Sequence, residues 1–313
     1  MAWFNVVRAA PARTNVRTDF AERPEGNMQP TSRTVPGADG LTLRLLEWSE
    51  EGVPLLLLHG FGNEAHIWDD VAPVLAPHYR VLALDQRGHG DSDADSEGRY
   101  EFESMARDVE AVCEALGISR LVVCGHSMGG RVAMRFTGRN FDKLAGLVLV
   151  DVGPELDERG VSRITTEAAR QEPVFDSVDQ YAALLARNYP AGKASVLARM
   201  ARNELRERAD GRFELKLRLD MTKLQESRTA EEAEAYAEEE TKILWEILAK
   251  VTCPSLVVRG AASDVLSPEV ADRMEEVLPN GELVVIGQAA HSVMVDNPEG
   301  FETAIRAFAL GEG

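Results

Sequence analysis

Leu121-Val-Val-Cys-Gly-His-Ser-Met-Gly-Gly130 is the stretch from which the fold of this chain can be read. It begins as an apolar, β-branched strand, passes through a match to G-x-S-x-G, and continues into a helix predicted over 130–137. Glycines on both sides of Ser127 let a strained turn pass close to neighbouring chain, and such a turn lifts the serine hydroxyl above the sheet. The strand–turn–helix context therefore predicts Ser127 as a nucleophile.

Two later apolar strands lead into loops that carry a carboxylate and an imidazole. The strand over 254–260 precedes Asp264, and the strand over 282–286 precedes His291. A hydroxyl is a poor nucleophile until an imidazole takes its proton, and the imidazole needs a carboxylate to fix its tautomer. The order Ser, acid, His predicts Asp264 as the acid and His291 as the base. Asp151, which ends the strand after the elbow helix, is the alternative acid.

An oxyanion hole is expected where the strand over 54–58 runs into His59-Gly-Phe-Gly62. Glycines in such a loop free backbone N–H groups to point at a ligand. The predicted donors are the N–H of Phe61 and that of Met128, the residue after the nucleophile.

Strands and helices alternate through most of the chain. Further strands are predicted over 41–48, 80–85 and 144–151, and helices over 65–76 and 102–116. This alternation indicates an α/β fold, with a mostly parallel sheet of the eight-stranded type covered by helices on both faces. Ligands of such sheets bind at the carboxyl ends of the strands.

The pattern divides the chain into three parts. Residues 1–37 are rich in Pro, Arg, Thr and Asn, and are predicted to form an extended N-terminal arm. Residues 38–154 and 250–313 form the α/β core. Residues 155–249 are charged, helix-forming and without an apolar strand, and are predicted to be an inserted helical lid above the site.

Aromatic side chains of this lid are candidates for contact with a substrate. Tyr181, Tyr189 and Trp245 are the candidate substrate-binding residues. For each of them taken alone, ordinary packing within the lid is the competing interpretation.

The composition of the chain limits the classes of partner and cofactor that can be expected. The net charge is −18, from 34 basic and 52 acidic residues, which argues against nucleic acid or an anionic membrane as a partner. No run of roughly 18 apolar residues occurs, and the N-terminal stretch is too interrupted for a secretory signal. Three cysteines without a dense framework are typical of reduced thiols, so a cytoplasmic location is expected. The histidines lack metal-ligand spacing and no nucleotide-binding motif occurs, so neither a metal nor another cofactor is expected.

The chain resembles the α/β-hydrolase fold superfamily, in its lid-bearing esterase, lactonase and haloperoxidase-like branch, over roughly residues 40–310. The motifs that carry the resemblance are His59-Gly-Phe-Gly62, Asp85-Gln-Arg-Gly-His-Gly-Asp-Ser92, Gly125-His-Ser-Met-Gly129, Ser263-Asp264 and His291-Ser-Val-Met-Val-Asp-Asn-Pro298. The resemblance implies Ser127 as nucleophile, Asp264 as acid and His291 as base.

The same resemblance separates this chain from some relatives. Epoxide hydrolases and haloalkane dehalogenases carry Asp at the position of Ser127. Hydrolases of ring-cleavage products usually have a Ser-Gly-Gly oxyanion loop in place of His59-Gly-Phe-Gly62. We therefore expect a serine hydrolase that cleaves a carboxylic ester or lactone of a small molecule through an acyl-enzyme. The alternatives are hydrolysis of an enol-lactone or of a carbon–carbon bond next to a carbonyl, perhydrolysis, and a hydrolase-like ligand receptor with slow turnover. The oligomeric state cannot be predicted.

Overall fold

A computed structural model of the protein describes residues 28–170, 173–218 and 229–311. The strands in these ranges are β1 (Thr31–Pro36), β2 (Thr42–Glu47), β3 (Val53–Leu58), β4 (Tyr79–Leu84), β5 (Leu121–His126), β6 (Leu144–Val150), β7 (Val174–Phe175), β8 (Leu205–Glu207), β9 (Phe213–Leu215), β10 (Ser255–Gly260) and β11 (Gly281–Ile286). The α-helices are α1 (Ala72–Leu75), α2 (Phe102–Ala115), α3 (Met128–Arg139), α4 (Glu158–Arg170), α5 (Val178–Asn188), α6 (Ala194–Glu204), α7 (Ala230–Leu248), α8 (Pro268–Val277), α9 (Val293–Asp296) and α10 (Pro298–Leu310).

The central sheet is mostly parallel, as the sequence predicts. Within the described residues it has eight strands in the order β1-β2-β4-β3-β5-β6-β10-β11. In this sheet only the pairs β1–β2 and β2–β4 are antiparallel. The other six strands all run in one direction, namely β4, β3, β5, β6, β10 and β11. The carboxyl ends of β3, β5, β6, β10 and β11 therefore meet at one edge of the sheet, where the predicted site residues lie.

The apolar strands are buried on both faces of the sheet. Alternate side chains of β3 enter different hydrophobic clusters: Leu55 and Leu57 pack in one cluster, and Leu56 and Leu58 in the other. This follows from the two-residue period of a strand. It also explains why β3 is a continuous apolar run, since helices cover both faces of a parallel sheet.

The N-terminal boundary of the core differs from the prediction. Part of the arm expected over 1–37 is the edge strand β1, whose residues pair antiparallel with β2. Most of its side chains are exposed, as is usual for an edge strand. Its sequence is therefore polar and is predicted as part of the arm. The rest of the predicted arm, 1–27, lies outside the described residues.

The insertion over 155–249 is not purely helical. Besides α4 to α7 it contains a small antiparallel sheet in the order β7-β9-β8. These strands are only two or three residues long, too short for an alternating pattern to be recognised in the sequence. The prediction of an all-helical insertion is therefore wrong in this respect.

The last helix of the insertion packs against the core. On α7, Glu240 is buried and accepts a hydrogen bond from Arg135 of α3 at 3.0 Å. A Cβ placed on Gly138 of α3 would lie 2.5 Å from Ile247 of α7, so the two helices are in close contact. Helix α7 thus belongs to the packing around the central sheet, where Leu244 and Leu248 are buried in one of its hydrophobic clusters.

The elbow depends on backbone approaches that only glycine allows. A Cβ on Gly125 would lie 2.3 Å from the carbonyl oxygen of Gly129, and one on Gly129 would lie 2.4 Å from that of Leu58. These neighbours are backbone atoms, which cannot turn aside. The first turn of α3 therefore packs directly on the ends of β3 and β5.

We expect Gly129→Ala to lower the free energy of unfolding by about 2 kcal/mol or more, because overpacking against backbone requires the strands to shift. The matched control is Gly287→Ala, since no atom lies within 4 Å of a Cβ at that position. Thermal unfolding of both variants measures the difference. Equal melting temperatures would contradict this account of the elbow.

Candidate active site

Ser127 stands at the sharp turn between β5 and α3. Its φ is 52° and its ψ is −118°, a left-handed conformation that is unusual for a residue with a side chain. Its N–H donates to the carbonyl oxygen of Val150 at 3.1 Å, which ties the turn to β6. This is the strained strand-to-helix turn expected for a nucleophile elbow.

His291 connects Ser127 to a carboxylate. Its Nε2 lies 2.9 Å from Ser127 Oγ, and its Nδ1 lies 2.8 Å from Asp151 Oδ2. A carboxylate facing Nδ1 favours the tautomer protonated there, which leaves Nε2 to accept the serine proton. The backbone carbonyl of His291 also accepts a hydrogen bond from Nε2 of His126 at 2.9 Å. The serine, imidazole and carboxylate thus form one continuous hydrogen-bonded chain.

Asp151 is fully buried and well supplied with donors. It follows β6 directly, with a left-handed φ of 48°. The N–H of Gly260 donates to its Oδ1 at 2.9 Å, and the hydroxyl of Ser263 donates to its Oδ2 at 2.6 Å. Together with the contact to His291, these hydrogen bonds satisfy the oxygens of a carboxyl group that is buried away from water.

Asp264 makes no hydrogen bond to His291, so the prediction that it orients the base is wrong. Its carboxylate forms a two-point ion pair with Arg163 of α4, at 2.7 and 2.9 Å. The hydrogen bond from Arg163 keeps the pKa of Asp264 below its ordinary value. The loop after β10 directs Asp264 toward the insertion, whereas its neighbour Ser263 supports Asp151. The alternative acid, Asp151, is therefore the carboxylate beside the imidazole.

Two backbone donors lie beside Ser127. Met128 is the first residue of α3, where N–H groups have no partner within the helix and the helix dipole is positive. Within the described residues, neither the N–H of Met128 nor that of Phe61 is used by a backbone hydrogen bond. A Cβ on Gly60 would lie 3.2 Å from Ser127 Cβ, so the loop carrying Phe61 packs against the nucleophile. Both predicted donors are thus available near the hydroxyl.

Three buried histidines surround this site. Burial lowers the pKa of His59 to about 4 and those of His89 and His126 to about 3, because charging an imidazole away from water is unfavourable. His59 Nε2 accepts from the N–H of Gln86 at 3.0 Å. These side chains are therefore neutral structural supports at physiological pH.

The three aromatic candidates of the insertion occupy different environments. Tyr189 is half-buried and contacts the side chains of Asn63 and Ser292, which adjoin the oxyanion loop and His291. Burial raises the pKa of its hydroxyl to about 12. Tyr189 is thus the candidate that reaches the neighbourhood of the catalytic loops.

Tyr181 and Trp245 make other contacts. Tyr181 is buried, and its hydroxyl donates to Glu204 at 2.6 Å. Trp245 stacks under Arg273, with 3.9 Å between guanidinium and ring, and its Nε1 donates to Glu155 at 2.8 Å. Both partners are exposed charged groups, so the prediction that Trp245 lines a substrate pocket is wrong. The helical pattern of α7 did not reveal which surface it faces.

Glu204 is a further buried polar residue near the site, and no motif in the sequence indicates it. This carboxyl, at the end of α6, is only 5% exposed, and no Lys or Arg of the described residues is paired with it. Its hydrogen bonds come from Tyr181 and from Asn63 Nδ2, the latter at 3.4 Å. Burial raises its pKa from 4.5 to about 7. A single Glu within an amphipathic helix carries no sequence signal that separates it from its exposed neighbours.

We expect Glu204→Gln to stabilise the protein in a pH-dependent manner. A raised folded-state pKa means that the stability from the protonated carboxyl is complete below about pH 4.5 and is lost as the pH rises through about 7. Gln cannot ionise, so the melting temperature of the variant should gain on wild type by about 2 °C or more between about pH 5 and about pH 8. Glu207→Gln, at an exposed position, is the control. A difference that does not change with pH would contradict the shift.

Comparison with known proteins identifies the family. The model of the alpha/beta hydrolase fold family matches residues 53–298, and the chain therefore belongs to the α/β-hydrolase fold family. It is 24% identical over 259 residues to 2-(acetamidomethylene)succinate hydrolase from Mesorhizobium japonicum, a match that covers 83% of this chain and 88% of that protein. It is 38% identical over 107 residues to fluoroacetate dehalogenase from a Burkholderia species, covering 33% of this chain and only 35% of that relative. The crystal structure of an alpha/beta hydrolase from Novosphingobium aromaticivorans superimposes with a TM-score of 0.77 and 29% identity, covering 90% of this chain and 98% of that one. The names of these relatives support a hydrolase.

In the part of the chain that the structure describes, no helix is both long and apolar enough to span a membrane. The same residues include no group of three or more His, Cys, Asp or Glu arranged to hold a metal ion.

Proposed function

We propose that the protein is a serine hydrolase that cleaves a carboxylic ester or lactone of a small molecule. The observation that carries the proposal is the hydrogen-bonded chain from Ser127 through His291 to Asp151. It joins an activated hydroxyl to a base of defined tautomer, beside two unused backbone N–H groups. This combination is suited to acyl transfer through a covalent intermediate.

In the proposed mechanism, Ser127 Oγ attacks the carbonyl carbon while His291 Nε2 takes its proton. The N–H groups of Phe61 and Met128 stabilise the oxyanion that develops, each contributing about 3 kcal/mol in comparable sites. His291 then protonates the leaving alcohol, and later takes a proton from the water that releases the acid. Asp151 stabilises the imidazolium in both steps.

The relatives broaden the range of scissile bonds to be tested. The related hydrolase from Mesorhizobium japonicum is named for 2-(acetamidomethylene)succinate, a compound with an amide group. Attack on an amide carbonyl uses the same serine, base and oxyanion donors. A substrate panel should therefore include small amides beside esters, lactones, enol-lactones and vinylogous diketones.

Tyr189 is the proposed contact between the insertion and the substrate. A cleft of about 280 Å³ lies between α5 and α6, and Tyr189 lines it together with small apolar side chains such as Ala182, Ala186 and Leu197. Because Tyr189 also contacts Ser292 beside His291, we propose this cleft for an apolar part of the substrate. The segment from α4 to β9 is the proposed lid.

The remaining expectations belong to the same proposal. The partner would be a small molecule, neither nucleic acid nor a membrane, and no cofactor is required by the mechanism. Cys113, Cys124 and Cys253 are free thiols, which supports a proposed cytoplasmic location.

Ser127→Ala should abolish turnover while the fold is kept, because the half-exposed hydroxyl contributes little packing. By comparison with serine-triad knockouts, we expect a loss on the order of 10⁶ in kcat. A fluorophosphonate probe, followed by mass spectrometry, should place the adduct on Ser127 in wild type and give none in the variant. An unlabelled but folded wild-type protein would refute the activated serine.

Replacing each carboxylate by its amide separates the two candidate acids. Asp151→Asn should lower kcat by about 10⁴-fold, because the imidazole loses its orienting charge. Asp264→Asn removes only a partly exposed ion pair with Arg163 and should keep most of the activity. Steady-state kinetics on a short p-nitrophenyl ester measure both. A large loss in Asp264→Asn with a small one in Asp151→Asn would reverse the assignment.

A further inference from the structure

Glu204 is a buried carboxyl, and no Lys or Arg in the described part of the chain pairs with it. It ends α6 of the insertion, and its oxygens receive hydrogen bonds from the Tyr181 hydroxyl and from Asn63 Nδ2. Both groups donate, and a carboxylate can only accept, so the observed contacts suit the ionised form. Keeping a charge this deep is unfavourable for stability, which points to a role other than packing.

Asn63 links Glu204 to the oxyanion loop. Asn63 is itself 6% exposed, and its backbone N–H donates to the carbonyl of Gly60 at 3.2 Å, which closes the turn around Phe61. The same turn packs on the nucleophile, since a Cβ on Gly60 would lie 3.2 Å from Ser127 Cβ. A displacement of Asn63 would therefore move the Phe61 N–H relative to the serine.

Tyr189 links the same asparagine to the base loop. Its side chain contacts both Asn63 and Ser292, and Ser292 follows His291 directly. The two loops that deliver the oxyanion donor and the base are thus joined through side chains of the insertion. The insertion therefore helps to hold these two loops in position.

We propose that Glu204 is a positioning residue, which in its ionised form holds Asn63 and so sets the geometry of the oxyanion loop for the reaction of Ser127. The inference rests on the proposed function of Ser127. When Glu204 is protonated, its hydroxyl can donate to the Tyr181 hydroxyl while the other oxygen still accepts from Asn63 Nδ2. The bond from Asn63 then loses the strength of a charge-assisted hydrogen bond, so Asn63 and the Phe61 N–H are held less firmly in position. Displacements of about 1 Å in such supports cost up to about 10²-fold in rate.

The surroundings of Glu204 bring the ionisation of its carboxyl group close to neutral pH. Burial raises the pKa of Glu204 to about 7, while the hydrogen bonds from Tyr181 and Asn63 oppose the rise. Glu64, which is also buried, faces it with a pKa raised by burial, and Tyr189 stays protonated because burial raises its pKa to about 12. Ionisation of Glu204 therefore falls in the range where the enzyme is assayed.

The test is the rate at which a fluorophosphonate labels Ser127 between about pH 5 and about pH 9, in wild type and in Glu204→Gln. The amide resembles the protonated carboxyl, since it also carries a donor. We expect wild type to react about 10-fold faster than the variant above about pH 8, and the ratio to approach 1 below about pH 6. The two proteins differ only at position 204, so the ratio isolates the effect of that side chain. A ratio that does not depend on pH would overturn the inference.

Further variants test the route and the identity of the group. Tyr181→Phe should move the midpoint of the ratio to higher pH, because it removes a hydrogen bond that lowers the pKa of Glu204; an unmoved midpoint would count against the inference. In an Asn63→Ala background, Glu204→Gln should have no added effect; an undiminished effect would show that Asn63 is not the link. Glu207→Gln, on the exposed end of β8, should match wild type.

Two results would overturn the inference in distinguishable ways. If the labelling rate of Glu204→Gln still changed with pH as in wild type, and that of Glu64→Gln did not, the role would belong to Glu64. A folded wild type that is not labelled at any pH would remove the proposed function and this inference with it. If Glu204→Gln did not fold, the pH midpoint of the labelling rate itself would be compared between Tyr181→Phe and wild type, and an unmoved midpoint would overturn the inference.

Discussion

The candidate active site depends on the close approach between the first turn of α3 and the ends of β3 and β5. Gly125 and Gly129 stand where any side chain would collide with backbone atoms. This contact holds Ser127 at a φ of 52°, a conformation that costs on the order of 1–3 kcal/mol and persists only when its surroundings enforce it. Here the enforcement comes from β5, which is buried along its whole length. The position of Ser127 is therefore set by backbone packing together with the hydrogen bond from its N–H to Val150, and His291 orients its hydroxyl.

The parallel sheet explains how residues far apart in the chain meet. β5, β6, β10 and β11 are consecutive in the sheet and point the same way, so Ser127, Asp151 and His291 follow strand ends on one edge. The strand β10 supplies no acid, yet it serves the acid of its neighbour. Its last residue, Gly260, and the nearby Ser263 both donate to Asp151. The carboxylate at the end of β6 is thus stabilised by the loop in which the sequence places the competing acid.

Much of this fold can be predicted from the sequence because its strands are contiguous apolar runs with recognisable turns. The same holds for Ser127, His291 and the loop around Phe61, whose local motifs carry their geometry. The choice between Asp151 and Asp264 could not be made in this way. Both follow neighbouring strands, and Asp264 is turned aside by Arg163, 101 positions away in the chain. Long-range pairs of this kind leave no periodic pattern, and the contact of Asn63 with Glu204, 141 positions apart, was missed for the same reason. The edge strand β1 and the short strands of the insertion lack the apolar alternation that reveals the others.

The contact between α4 and the loop after β10 limits how the insertion can be replaced. Gly160 lies so close to the loop after β10 that a Cβ would be 2.4 Å from the carbonyl oxygen of Asp264, and Arg163 binds the side chain of that same residue. At this point the insertion therefore contacts the core in two ways, through the close packing at Gly160 and through the ion pair of Arg163. A segment exchanged between related enzymes at this place would have to bring its own matching loop. Helix α4 and this loop are therefore structurally coupled, although Arg163 and Asp264 stand 101 positions apart in the chain.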